Sequence, residues 1–103
     1  MEFAMAQLLT DKQVQEALAT LPGWRRDSNC LVKKFPFGTY MEGIRFVETV
    51  AIDAEARDHH PDLLVRYGDI TVFLSTHSAE GITEKDVESA RSVEKLAALF
   101  GAS

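Results

Sequence analysis

Two of the three histidines stand side by side in the segment Glu55-Ala56-Arg57-Asp58-His59-His60-Pro61, and the third, His77, follows further along the chain. Imidazole ordinarily titrates near pH 6.5, so it can both give and take a proton close to neutrality. It is also a common metal ligand. Glu55, Asp58 and Asp62 place carboxylates beside the pair. A carboxylate next to an imidazole orients the ring and favours its protonated form. Three readings follow from the residue types alone: polar surface or capping groups, a metal site, or metal-free general acid–base chemistry. Three histidines can hold zinc with one position open. Neighbours in an extended segment point to opposite faces, however, so His59 and His60 do not converge naturally on one ion. The HExxH helical spacing is absent as well. Cys30 is distant in sequence from any evident base, so covalent catalysis finds no support. No Gly-rich phosphate loop of a known kind is present.

These side chains must be positioned by the elements around them. Tyr40 to about Asp58 is the longest helical pattern, with Met41, Ile44, Val47, Ala51 and Ala54 on one stripe, widened by Phe46 and Val50. Thr39 is placed to cap it. Pro61 biases the residue before it away from helical angles, so the histidine pair sits at the helix exit. Leu63 to Tyr67 and Ile70 to Thr76 read as strands, and Gly68-Asp69 between them as a two-residue turn. That turn sets Tyr67 opposite Ile70, Val65 opposite Val72 and Leu63 opposite Leu74, one apolar face throughout. Counting outward brings His60 opposite His77, with Cα atoms about 4.5–5.5 Å apart.

The remaining elements flank this unit. A short helix is expected over about Asp11 to Thr20, capped by Thr10 with Gln13 at the capping-box position and stopped by Pro22-Gly23. Trp24 to Arg26 and Cys30 to Phe37 form a hairpin around the turn cluster Asp27-Ser28-Asn29. Pro36 implies an edge position or a strand end. Trp24 and Cys30 read as apolar packing residues. Thr83 caps a last helix, with Asp86 three residues on, and Val87, Ala90, Val93, Leu96, Ala97 and Phe100 as its apolar stripe. The order helix-strand-strand-helix-strand-strand-helix predicts an α+β fold, a four-stranded antiparallel sheet with three helices on one face.

Composition bounds the partners. At 103 residues the chain is one domain. The opening Met1-Glu2-Phe3-Ala4 reads as a cloning remnant ahead of a natural start at Met5, which leaves residues 5–103 as the domain. The net charge of −5 argues against nucleic-acid binding, because phosphate contacts need a basic face. No apolar run approaches the ~18 residues of a membrane span, and no signal peptide is visible. A single cysteine cannot form an internal disulfide, which fits a cytoplasmic protein.

Taken together, Glu55, three residues, His59-His60-Pro61, five residues, Tyr67, nine residues, His77, eight residues and Asp86 resemble the signature of the pterin-4a-carbinolamine dehydratase family. The likeness takes in Leu21-Pro22-Gly23-Trp24 and the segment GITEKDVESARSVEKL, residues 81–96. No defining position departs from the pattern. The resemblance implies a hydro-lyase of tetrahydrobiopterin recycling, which dehydrates 4a-hydroxytetrahydrobiopterin to quinonoid dihydropterin. It implies a homodimer or homotetramer that uses neither metal nor organic cofactor. By motif match, His59 and His77 form the acid–base pair on either side of the pterin C4a, and His60 chiefly binds and orients the ring. Glu55, Asp58 and Pro61 belong with the substrate-binding set. Thr76, Ser78 and Ala79 flank His77 and line the pocket through backbone groups. Asp86 either caps its helix or serves the site. Some family members instead aid dimerisation of a transcription factor, and some relatives are assembly factors with a degraded site; the three intact histidines here favour the enzyme.

Overall fold

Each helix begins where a threonine side chain replaces a missing backbone partner. In the computed structural model, which describes residues 7–102, Thr10 opens α1 (Asp11–Leu18) with a complete capping box: its Oγ1 accepts from Gln13 N, and Gln13 Oε1 accepts from Thr10 N. Thr39 opens α2 (Tyr40–Arg57) by accepting from Glu42 N. Thr83 opens α3 (Glu84–Ala98) with a second capping box closed by Asp86. The residues read as a cloning remnant, and Met5, lie outside the described residues.

Four strands, β1 (Arg25–Asp27), β2 (Cys30–Pro36), β3 (Asp62–Val65) and β4 (Asp69–Leu74), form one antiparallel sheet in the order β1-β2-β4-β3. The expected α+β architecture is therefore present. Pro36 ends the central β2, where its missing N–H interrupts no ladder. Leu31 and Phe35 of β2 and Ile70, Val72 and Leu74 of β4 alternate onto one face. They pack there against Val14 of α1, Phe46 and Val50 of α2, and Val87, Ala90, Val93 and Ala97 of α3. Phe46 is fully buried, its ring 5.3 Å from that of Phe35 and 5.0 Å from that of Phe37. Removing such a ring typically costs about 3–5 kcal/mol, so α2 is fixed firmly on the sheet. Trp24 joins the same cluster, as expected.

The second hairpin differs from the sequence expectation. Val65 pairs with Ile70 and Leu63 with Val72, so the turn is Tyr67-Gly68 rather than Gly68-Asp69, and Tyr67 does not face Ile70. The cause lies in the third strand. Pro36 of β2 pairs with Asp69, and Phe37 N donates to Gly68 O at 3.0 Å. Asp69 is thereby drawn into β4, with Arg66 N donating to Asp69 O at 2.9 Å across the turn. The slip is two residues, so the apolar face is preserved. The facing of His60 and His77 is not: the β3–β4 ladder ends at Asp62–Phe73, before either histidine.

Candidate active site

The helix exit does the work that the ladder was expected to do. Asp58 follows α2 in the left-handed region (φ 52°, ψ 41°), a conformation that Asp tolerates better than most residues. His59 N reaches back to Ala54 O at 3.1 Å and Asp58 N to Glu55 O at 3.2 Å, the paired bonds of a Schellman ending. This reversal turns His59 toward the start of α3. Its Nε2 lies 2.7 Å from Asp86 Oδ1, with the His59 side chain 11% and that of Asp86 0% exposed.

Asp86 is fully committed. Its Oδ2 accepts from Thr83 N at 2.9 Å and from Thr76 Oγ1 at 2.8 Å. With the Thr76 proton given to Asp86, Thr83 Oγ1 donates to Thr76 Oγ1 at 2.7 Å. One carboxylate thus caps α3, ties β4's exit to that helix and holds His59. Of the two sequence readings of Asp86, the cap is present, and the same carboxylate also touches His59. With the carboxylate accepting, the Nε2 of His59 carries a hydrogen, and Nδ1 is the nitrogen left for other partners.

His60 points elsewhere, as alternation in an extended segment requires. Its Nε2 lies 2.6 Å from Glu55 Oε1, on the exposed flank of α2. His77 starts a 3-10 turn, His77–Ala79, closed by Glu80 in the left-handed region. The stem of this loop is a bridge between Thr76 and Gly81, with backbone bonds of 2.8 and 3.3 Å.

Asp58, His59, His60, Ser75, Thr76, His77, Ser78 and Lys85 border one open cavity of about 330 Å³. All three histidines therefore meet at one place, though by way of a helix cap and a loop rather than a continued ladder. Not every expected residue borders it. Pro61 lies behind His59 with Val50, Ala54 and Leu74, on its apolar side. Glu55 reaches the cavity only through His60, Asp86 only through His59 and Thr76, and Ala79 is half-buried beyond the rim. Two bordering residues, Ser75 and Lys85, were missed. Lys85 carried a signal: it precedes Asp86 in the first turn of a helix that begins beside the histidines. Among the described residues, no three His, Cys, Asp or Glu side chains are placed to hold one metal ion.

Comparison with known proteins addresses the same residues. A protein of Mycobacterium sp. (strain KMS), provisionally named a pterin-4-alpha-carbinolamine dehydratase, is 45% identical over 89 residues, covering 86% of this chain and 95% of that one. One from Mycolicibacterium vanbaalenii with the same provisional name is 46% identical over 89 residues, covering 86% and 96%. The crystal structure of a transcriptional coactivator/pterin dehydratase from Brucella melitensis superposes with a TM-score of 0.83 at 34% identity, over 86% of this chain and 97% of that one. A pterin dehydratase-like protein identified as a RuBisCO assembly factor in the alpha-carboxysome shares the fold, with a TM-score of 0.63 at 24% identity, over 73% of this chain and 89% of that one. The family model described as pterin 4 alpha carbinolamine dehydratase matches residues 7–96, a span that takes in the cavity, its three histidines and the Asp86 that anchors one of them, and the chain belongs to that family.

Proposed function

We propose that the chain is a 4a-hydroxytetrahydrobiopterin dehydratase working in tetrahydropterin recycling. The observation that carries this reading is the pairing of half-buried His59 with the fully buried Asp86 at the wall of a cavity shared with His60 and His77. The reaction removes hydroxide from C4a and a proton from N5. Hydroxide is a poor leaving group, so an imidazolium that protonates it as the C4a–O bond breaks lowers the barrier, an effect typically worth about 10²–10⁴-fold. The N5 lone pair forms the C4a=N5 bond, and a neutral imidazole takes the N5 proton. Water and quinonoid dihydropterin leave.

His59 and His77 are the acid–base pair in this proposal. Asp86 is a positioning residue, because it fixes which nitrogen of His59 exchanges protons. His60, braced by Glu55, orients the pterin ring, and Asp58 and the Ser75–Ser78 backbone supply polar groups around it. The chemistry calls on no metal and no organic cofactor.

The other reading, a protein-binding module on the same fold, draws on the names of the Brucella melitensis coactivator and the RuBisCO assembly factor. The retention of all three histidines around one cavity favours the enzyme. A dehydration assay on the purified protein, following absorbance of the product from carbinolamine generated in situ, decides between them. Acceleration above the spontaneous rate, lost in His59→Ala and His77→Ala, is the expected result. A well-folded protein with no acceleration overturns the proposal.

A further inference from the structure

A second cavity is larger than the histidine site. About 780 Å³ in size, it lies under the Leu21-Pro22-Gly23 loop, bordered by Lys33 and Lys34 of β2 and by Arg91, Glu94 and Lys95 of α3. It shares no residue with the histidine cavity. Its volume falls within the range of about 300–1,000 Å³ usual for small-molecule sites.

Its charge is the opposite of the chain's. Lys33, Arg91 and Lys95 against Glu94 alone give a formal +2 on a protein of net charge −5; Lys34, the next residue of the strand, points to the other face of the sheet. Lys33 is 6% exposed; its Nζ donates to Pro22 O at 3.0 Å and to Glu94 Oε1, which also accepts from Trp24 Nε1 at 2.8 Å. The third Nζ hydrogen has no hydrogen-bond partner among the described residues. Gly23 lies against this lysine. Its φ is +84°, a conformation that favours glycine, and a Cβ there would lie 2.8 Å from Lys33 Cε, so any side chain would have to displace the lysine end. Arg91 spends one N–H on Thr20 Oγ1 at 3.2 Å. Lys34, Arg91 and Lys95 form no ion pair among the described residues. Like charges around one concavity repel, and an occupant of opposite sign relieves that repulsion.

We propose that this cavity binds a small organic polyanion, a nucleoside di- or triphosphate as the chemical class. Two cations outside any ion pair, Arg91 and Lys95, beside the buried Lys33 suit a chain of phosphates, and Arg91 offers the planar fork that phosphate oxygens accept in pairs. The volume exceeds what phosphate groups alone fill. Pro22 and the methylene stem of Lys95 are the surface left for a flat organic body. The Lys33–Glu94 pair forms the floor, with Trp24 Nε1 hydrogen-bonded to Glu94 behind it.

Trp24 is the only tryptophan and is hydrogen-bonded into that floor, so its emission reports on occupancy. ADP is the probe, titrated into the full chain with Trp24 fluorescence and calorimetry as readouts. Saturable one-site binding is expected, weakening as salt is raised. Exposed charge pairs are worth about 0.2–1 kcal/mol each, so Arg91→Gln and Lys95→Gln each weaken binding about 2- to 5-fold and the double variant roughly 4- to 25-fold. Circular dichroism checks that these surface variants fold. His77→Ala and Lys85→Gln, at the other cavity, leave the affinity unchanged. Absence of saturable binding at millimolar ADP, binding indifferent to the double variant, or binding lost in His77→Ala would each overturn the proposal.

Discussion

Asp86→Asn is the substitution that best separates position from structure at the histidine cavity. The asparagine is nearly isosteric but has one acceptor oxygen where aspartate has two. Oδ2 serves two donors, Thr83 N at 2.9 Å and Thr76 Oγ1 at 2.8 Å, whereas Oδ1 serves only His59. The asparagine oxygen therefore takes the Oδ2 place, and its NH₂ group faces His59 Nε2. Nε2 must then accept, which moves the ring hydrogen to Nδ1, the nitrogen proposed to exchange protons with substrate. The capping box survives, so the stability loss stays near one charge-assisted bond, about 1–3 kcal/mol. The catalytic loss is the full contribution of a correctly poised acid or base, about 10²–10⁴ in kcat, or about 2.7–5.4 kcal/mol of barrier.

Asp86→Ala is the contrast. It strips the partners from a buried histidine, a buried backbone N–H and a buried hydroxyl at once, and loss of one member of a buried pair costs about 3–5 kcal/mol. In a chain of this size each kcal/mol lowers Tm by about 4–8 °C, so the alanine variant is expected to melt far earlier while the asparagine variant is not. The assay pairs dehydration kinetics, corrected for the spontaneous rate, with thermal melts and with ¹⁵N chemical shifts of the His59 ring. A purely structural role for Asp86 would move the ring tautomer without moving kcat. An asparagine variant that is folded, shows the Nδ1–H tautomer and keeps kcat within about threefold of the parent, far short of the 10² expected of a displaced acid or base, would refute the assignment.

His59→Ala and His77→Ala are each expected to lower kcat with a smaller change in KM, and His60→Ala to raise KM more than it lowers kcat; a folded His59→Ala/His77→Ala double variant that keeps most of its activity defeats the acid–base roles. Activity is expected to survive chelation, and elemental analysis that finds one tightly held metal per chain, with activity lost on its removal, contradicts this. The short edge strand β3 leaves Leu64 and Val65 exposed beside the stacked Tyr40 and Tyr67 rings, and such an edge invites pairing. A homodimer or homotetramer is therefore expected, dissociating when Val65→Lys charges the edge; a monomeric parent by light scattering at micromolar concentration refutes this. Gly23→Ala is expected to cost about 1–2 kcal/mol from the positive φ alone, more with the Lys33 contact, read as a lowered Tm.

Much of the fold was legible because its signals are local. Thr10 with Gln13 and Thr83 with Asp86 announce helix starts three residues apart in sequence, and the alternation of Ile70, Val72 and Leu74 marks the buried face of β4 without reference to its neighbours. The hairpin turn was not legible, because it is decided by β2, whose Pro36 and Phe37 lie some thirty positions away and draw Asp69 into the sheet. The cationic cavity was invisible for the same reason. Lys33 alternates with apolar neighbours and reads as an ordinary strand residue, and nothing near it in sequence foretells Glu94 on α3 as its partner.

The histidines converge even though the ladder argument that brought them together was wrong in its register. A two-residue slip keeps every side chain on its face, which protects the core but moves the predicted partner of His60 from His77 toward Ser75. What rescues the site is independent of the hairpin. The left-handed Asp58 swings His59 onto Asp86, and the Thr76–Gly81 bridge holds the His77 loop beside it. Thr76 and Thr83 lock both arms to the same carboxylate. A substitution in the Tyr67-Gly68 turn should therefore disturb the sheet edge more than the cavity, whereas one at Asp86 reaches the helix start, the β4 exit and His59 together. The arrangement of His59 and the His77 loop is hung on one buried carboxylate, and that residue, rather than the more conspicuous histidine pair, is where fold and proposed chemistry are hardest to separate.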